Sequence, residues 1–213
     1  MRAVRARRGG ASAPRVRRSH AERSATTRAR IIAAVVDVIA RDGFQGLTAQ
    51  QVAARSGMTW GAVQHHFGGK DSLLLAVLED SFARFAERAE RAPLAGRGLA
   101  ARAALFVDLA WDHFRSRQYR ATFEILLNHL GRDKHRSAGN WRVEMSRGWD
   151  RVWSRIFADA KLPRKRSLVL QHFTLSALSG LAATLMLQGA DAELLRGELD
   201  VLKATLRREL AAG

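Results

Sequence analysis

Cysteine is absent from the 213 residues, which excludes disulfides and thiolate metal sites and suits a reducing compartment. Lysine is scarce, confined to positions 70, 134, 161, 165 and 203. A positive balance carried so heavily by arginine, beside abundant Ala and Gly, is also what a GC-rich genome produces, so charge alone says little about partners. Sustained Val/Ile alternation and strand-and-turn spacing are missing, which argues against a sheet. No internal repeat is visible. There is no nucleophile elbow, phosphate loop, HExxH or paired metal-ligand spacing, and the seven histidines are scattered. An enzyme is therefore not expected, nor a bound cofactor or metal.

What is present is enough apolar material to fold. Hydrophobic residues make up 47% of the chain, and the length suits one sizeable core or a small module joined to a larger one. Lys and Arg number 36 against 20 Asp and Glu, a formal net charge of +16. A polyanion is the natural partner, whether nucleic acid or an anionic membrane surface. The distribution says more than the total: residues 1–24 carry eight Arg and one Glu, residues 25–70 five basic and two acidic groups, and the remainder 23 against 17. The excess is concentrated at the N-terminus.

Residues 1–23 are rich in Arg, Ala, Gly and Ser and have no apolar run, so they do not read as a secretory signal. Their composition resembles a transit peptide, but charge patterning favours a flexible basic arm. After it the chain reads as helix throughout. Ala25–Arg41 puts Ile32, Val36 and Ile39 on one face, and Asp42-Gly43 ends that helix. Thr48 caps the next, with Gln51 placed to complete a T-x-x-Q capping box. Gly57 follows nine residues later, Thr59 caps a second short helix through about His66, and Gly68-Gly69 breaks it before a long helix from Lys70-Asp71. Further helices are expected at about Leu99–Arg117, Tyr119–Leu130, Gly139–Ala160, Arg166–Gln188 and Asp191–Leu210, with connections near Pro93, Gly131–Gly139, Pro163 and Gly189. The expected fold is all-α, about nine helices in total: a basic arm (1–23), a three-helix helix-turn-helix module (24–72) and a larger helical domain (73–213).

Two short capped helices joined by a glycine turn form a helix-turn-helix. Ala53 lets the helices approach, Gly57 permits the positive φ of the turn, and Val52, Met58 and Val63 are spaced to seal the core beneath. The second helix of such a unit lies in the major groove. His65 and His66 point about 100° apart on a helix, which makes them poor joint metal ligands and better DNA or surface residues.

The stretches Gly43-Phe-Gln-Gly-Leu-Thr48, Val52-Ala-Ala-Arg-Ser-Gly-Met-Thr59 and His66-Phe-Gly-Gly-Lys-Asp-Ser-Leu73 resemble the TetR-like family of regulators. The resemblance is specific over about Ala29–Leu78. It implies a homodimeric repressor, released from a palindromic DNA operator by a small-molecule effector and working in the cytoplasm on the nucleoid. By position, Thr48 and Thr59 would offer hydroxyls and helix N-terminal amides to phosphates. Gln50, Trp60, Gly61, Gln64, His65 and His66 would lie near bases or neighbouring phosphates, and Lys70 would contact the backbone as a point charge. Two residues depart from the pattern. Gln64 stands where the family has an aromatic residue, most often Tyr, and could bond adenine instead. Trp60 is bulkier than usual and could pack on a sugar or thymine methyl. The alternative from another class is a non-sequence-specific DNA-coating protein driven by the basic arm.

The resemblance assigns effector binding and dimerisation to the C-terminal domain. Ser176, Ser179, Gly180, Ala183 and Thr184 make a small-residue face, and Leu195, Leu199, Leu202 and Leu206 an apolar seam. Two such helices from each subunit would build a four-helix interface. A membrane span over Leu168–Leu187 is the competing reading, but Gln171, His172, Thr174, Ser176, Ser179 and Thr184 would need partners in lipid, so no membrane is expected. For a ligand cavity the aromatic cluster Phe106, Trp111, Phe114, Phe123, Trp141, Trp149 and Trp153, with His129 and Met145, supplies the candidates. A cavity lined this way suits an aromatic or lipophilic effector.

Overall fold

The computed structural model describes residues 19–130, 136–189 and 191–212. Most of the expected basic arm, residues 1–18, lies outside the described residues. Among the described residues there are nine α-helices and no strand: α1 (His20–Asp42), α2 (Ala49–Ser56), α3 (Trp60–Phe67), α4 (Lys70–Glu90), α5 (Leu99–Phe114), α6 (Arg117–Ile125), α7 (Arg136–Ile156), α8 (Arg164–Gln188) and α9 (Ala192–Ala211).

The first helix starts five residues before the expected Ala25. Ser19 Oγ accepts from Glu22 N, and the Glu22 carboxylate accepts from Ser19 N at 2.7 Å. This S-x-x-E capping box satisfies two orphan donors and makes residues 20–23 helical. Gly43, at φ 70°, closes α1 by donating its N–H to Ile39 O. A 3-10 turn, Phe44–Gly46, then leads to Thr48. Thr48 caps α2 as expected, but only half of its capping box forms: the Gln51 amide nitrogen donates to Gly46 O and Asp42 Oδ2 instead. The 3-10 turn brings those two acceptors within reach.

Gly57 adopts the left-handed conformation between α2 and α3. Val52 and Val63 are buried beneath the pair, and Met58 packs on them only in part. Their core is not closed by three helices alone. Leu73, Leu74, Val77 and Leu78 of α4 and Ala121 and Ile125 of α6 complete it. The other half of α4 contributes Phe85 and Ala89 to a second core, built around α5 and covered by α7, α8 and α9. One helix thus belongs to both cores, and no break falls at the expected boundary after residue 72.

The helices of the second domain differ from expectation at their ends. α5 stops at Phe114, and Ser116 caps α6 by accepting from Tyr119 N at 3.1 Å. α6 runs into a single π-helical turn, Leu126–Leu130. Arg102, almost fully buried, ties α5 to the end of α7 by donating to Ile156 O and to both oxygens of Asp159. That charge-assisted contact, one guanidinium nitrogen shared between both carboxylate oxygens, lowers the Asp159 carboxyl below its ordinary range. α8 is long and apolar enough to cross a membrane by length and composition. Here it buries Leu170, Gln171, Thr174, Leu178 and Ala182 along one stripe and leaves Leu168, Val169, Phe173 and Leu187 exposed.

Candidate functional site

The helix-turn-helix surface is built from its caps outward. Thr48 Oγ1 accepts from Gln51 N and Thr59 Oγ1 from Ala62 N, each at 3.2 Å. A hydroxyl that accepts in a cap keeps its own proton to donate, so each threonine can bond an outside anion without giving up its helix. Gln50, Thr48, Thr59, Gly61, Gln64 and His65 are all exposed. A Cβ at Gly61 would meet nothing within 4 Å, so the glycine is not required by packing within the subunit.

Trp60 and His66 stand apart from that group. Trp60 is half-buried and packs against the module's own core, so only part of the ring is free for outside contact. His66 is half-buried, and its carbonyl accepts from the Arg28 guanidinium, which lies 4.1 Å over the Phe67 ring. Lys70 is exposed at the first position of α4, its Nζ 5.8 Å from the Phe44 ring and without a carboxylate partner among the described residues. Sequence reasoning missed the contribution of α1. Its first turns bring His20, Arg23 and Thr27 opposite His65 and His66 across a groove of about 510 Å³. The Ser19–Glu22 box was the legible signal that these residues are helical.

A cavity of about 450 Å³ lies within the larger domain, walled by α4 to α8 and the π turn. Of the expected residues, Phe114, Trp141, Met145 and Trp149 line it. Phe106, Trp111, Phe123 and His129 do not. Phe106 is fully buried edge-on against Trp153 and Phe157. Trp111 belongs to the packed core, and Phe123 packs on it beside Tyr119. His129 Nε2 sits 3.1 Å from Asp71 at the junction with the reading module. Trp153 also stays in the core, its Nε1 donating to Ser167 Oγ at 2.9 Å.

The polar part of the wall was not expected. Tyr119 Oη lies 2.8 Å from Ser179 Oγ, and burial raises the Tyr119 phenol while that hydrogen bond opposes the rise. Burial, with the Arg88 charge adding to it, pushes the His113 imidazole down to about 4. Ser81, Thr122 and Trp141 line this wall, and Ser81 Oγ, Thr122 Oγ1 and Trp141 Nε1 are buried beside it with no partner among the described residues. Such groups cost about 1–3 kcal/mol each when left unpaired, which makes their clustering beside one cavity informative.

The dimer candidates divide in the same way. Leu199, Leu202 and Leu206 are buried within the subunit, and Leu195 is half-buried against the same core. The leucine seam of α9 is an internal seam, closed by α5 of the same chain. Ser179 also turns inward, to Tyr119, and Ala183 is half-buried. Ser176 and Gly180 remain on an open groove of about 920 Å³ between α8 and α9, where Phe173, Leu194 and Val201 are exposed.

Residues 31–77 match the family model described as bacterial regulatory proteins, tetR family. Over that stretch the chain carries a tetR-family helix-turn-helix module. The chain is 39% identical over 79 residues to the HTH-type transcriptional regulator CymR of Pseudomonas putida, covering 37% of this chain and 38% of that one. It is 40% identical over 48 residues to the HTH-type transcriptional repressor AcnR of Corynebacterium glutamicum, covering 22% and 26%. The matched stretch therefore spans less than two fifths of either relative. Over nearly the whole length only the fold is shared: GusR of Salmonella enterica superposes with a TM-score of 0.67 at 21% identity, covering 87% of this chain and 96% of that one. FadR of Bacillus subtilis, solved with stearoyl-CoA, gives 0.63 at 16%, covering 85% and 96%.

Proposed function

We propose that this chain is a homodimeric transcriptional repressor that a small molecule, held in the cavity walled by α4 to α8, releases from a two-fold symmetric operator in the cytoplasm. One observation carries the reading: α6 has the cavity on one side and the DNA-reading module on the other. Tyr119, Thr122 and Leu126 face the cavity. From the same stretch, Glu124 Oε2 accepts from Phe44 N at 2.7 Å and Arg117 pairs with Asp37 at 3.0 Å. A ligand that displaces α6 changes where the reading module is held, and so changes operator affinity.

Dimerisation through the exposed α8–α9 groove would set two copies of α3 about a two-fold axis, and a symmetric operator follows from that symmetry. Footprinting on the DNA upstream of its own gene and its neighbours tests the reading. A repressor protects one site and prefers it to random DNA by orders of magnitude. Uniform protection would instead identify a DNA-coating protein.

Substitutions separate the two kinds of contact. Lys70→Ala should weaken binding to every sequence and reduce the slope of log K against log salt by about one. Gln64→Ala should change base preference at one position per half-site, by about 1–3 kcal/mol. Equal weakening on all sequences would remove Gln64 from base reading.

The α6 anchor has its own measurement. Glu124→Ala strips the acceptor from the Phe44 amide and should lower stability by about 1–3 kcal/mol in urea titration. Glu124→Gln, which retains an acceptor oxygen, should cost less.

A further inference from the structure

The cavity's wall says which chemistry fits it. We infer that it is built for an uncharged aromatic molecule carrying a hydrogen-bond acceptor for the Trp141 indole N–H and polar groups for the Ser81 and Thr122 hydroxyls. The inference rests on the reading of this cavity as the effector site.

Three observations lead to it. First, Phe82, Phe114 and Trp149 supply apolar wall, and the Phe114 and Trp149 rings lie nearly parallel, 24° apart. Flat apolar surface of this kind favours an aromatic body. Second, Ser81 is 2% exposed and Thr122 7%, and neither hydroxyl has a partner among the described residues, so each gains a bond by turning its rotamer toward a ligand in the cavity. Trp141 Nε1 is likewise buried beside the cavity and unpaired among the described residues. An indole nitrogen only donates, so the ligand must bring an acceptor to it, whereas the hydroxyls can meet a carbonyl, an amide or another hydroxyl.

Third, among the described residues the wall holds no Asp, Glu, Lys or Arg. Its most buried histidine, His113, is held neutral at pH 7. A carboxylate or ammonium group would be stripped of water there with no opposite charge to receive it. A hydrogen-bonding site also rejects a ligand that cannot complete its bonds, because the buried groups are then left unpaired. Selection for a neutral, polar-substituted aromatic ring follows from both effects.

The test uses three probes that share one ring system and differ in charge: 6-hydroxy-2-naphthamide, 6-hydroxy-2-naphthoate and (6-hydroxynaphthalen-2-yl)methylammonium. Each is titrated into the full chain by calorimetry at pH 7.5, with the variants Trp141→Phe, Thr122→Val and Ser81→Ala run alongside and their melting checked. The amide should bind at least tenfold more tightly than either charged probe. Trp141→Phe and Thr122→Val should each weaken the amide about tenfold, and Ser81→Ala should weaken it in the same direction.

A charged probe that binds as tightly as the amide overturns the inference, as does failure of all three to bind. Amide binding that none of the three variants alters overturns it too, since the site would then lie elsewhere. Operator affinity measured with the amide bound reports separately on the effector reading. Tight, variant-sensitive binding that leaves operator affinity unchanged would sink that reading while the ligand class stands.

Discussion

In the homodimer proposed above, a chain carrying both Leu194→Asp and Val201→Asp should be a folded monomer with operator affinity reduced by at least ~100-fold. These residues are 63% and 67% exposed, so neither supports the subunit's own core. With Phe173, 50% exposed on α8, they form the apolar part of the α8–α9 groove. Contiguous apolar surface of this kind marks an interaction site on a soluble protein. At a two-fold interface every substitution occurs twice, so the double variant brings four carboxylates into one apolar contact. Burying unpaired charge there is far more costly than leaving the subunits apart.

The loss of affinity follows from linkage. Once one head of a dimer is bound, the second meets its half-site at an effective concentration of about a millimolar, and a monomer forfeits that gain. Light scattering on a sizing column gives the mass, fluorescence anisotropy the affinity, and circular dichroism should remain native. A variant that stays dimeric would place the interface elsewhere. Leu202→Asp makes the contrast: it puts a charge among the residues that join α9 to α5, and it should unfold the domain.

Lowering the pH from 7.5 to 4.5 should remove about 2–3 kcal/mol of stability through His113 alone. The unfolded imidazole titrates near 6.5, while burial among Phe85, Phe114, Tyr119 and Trp149, together with the nearby Arg88 charge, holds the folded one at about 4. Between those values the unfolded chain binds the extra proton, so stability falls as the pH falls. The contribution is complete above 6.5 and is lost progressively down to about 4. His113→Phe keeps an aromatic ring without a titratable group, so the difference between wild type and variant in urea titrations isolates the effect. Asp42 and Asp159, whose carboxyls are held below their ordinary range by Arg41 and Arg102, lose their contributions only at lower pH and do not blur this window. Equal pH dependence in the two proteins would show that His113 is solvated in the folded state.

Local chemistry determined the reading module. Thr48, Gly57 and Thr59 sit where caps and a left-handed turn must fall, and nothing distant is needed to read them. Even the early start of α1 was written locally, in Ser19 and Glu22. The apolar stripes of α8 and α9 were equally visible as stripes. What periodicity does not contain is the partner. The spacing of Leu195, Leu199, Leu202 and Leu206 requires that the face be buried, and it is satisfied alike by a second subunit or by α5 of the same one. Packing chose α5, and the face left over, with Leu194 and Val201, became the open one.

The cavity shows the same division from the other side. An aromatic residue in the sequence carries no mark that tells a wedge from a wall: Phe106 and Phe114 lie two turns apart on α5, one sealed against Trp153 and one lining the cavity. Polar residues such as Ser81 and Thr122 are ordinary helix residues until neighbouring helices close over them and leave their hydroxyls unpaired. From sequence alone came the helices of the reading module, their caps and its left-handed turn, because each depends on residues within a few positions of one another. Only the tertiary structure decided which apolar face is internal, which is exposed and which polar groups are buried beside the cavity, because those depend on how helices distant in sequence fit together.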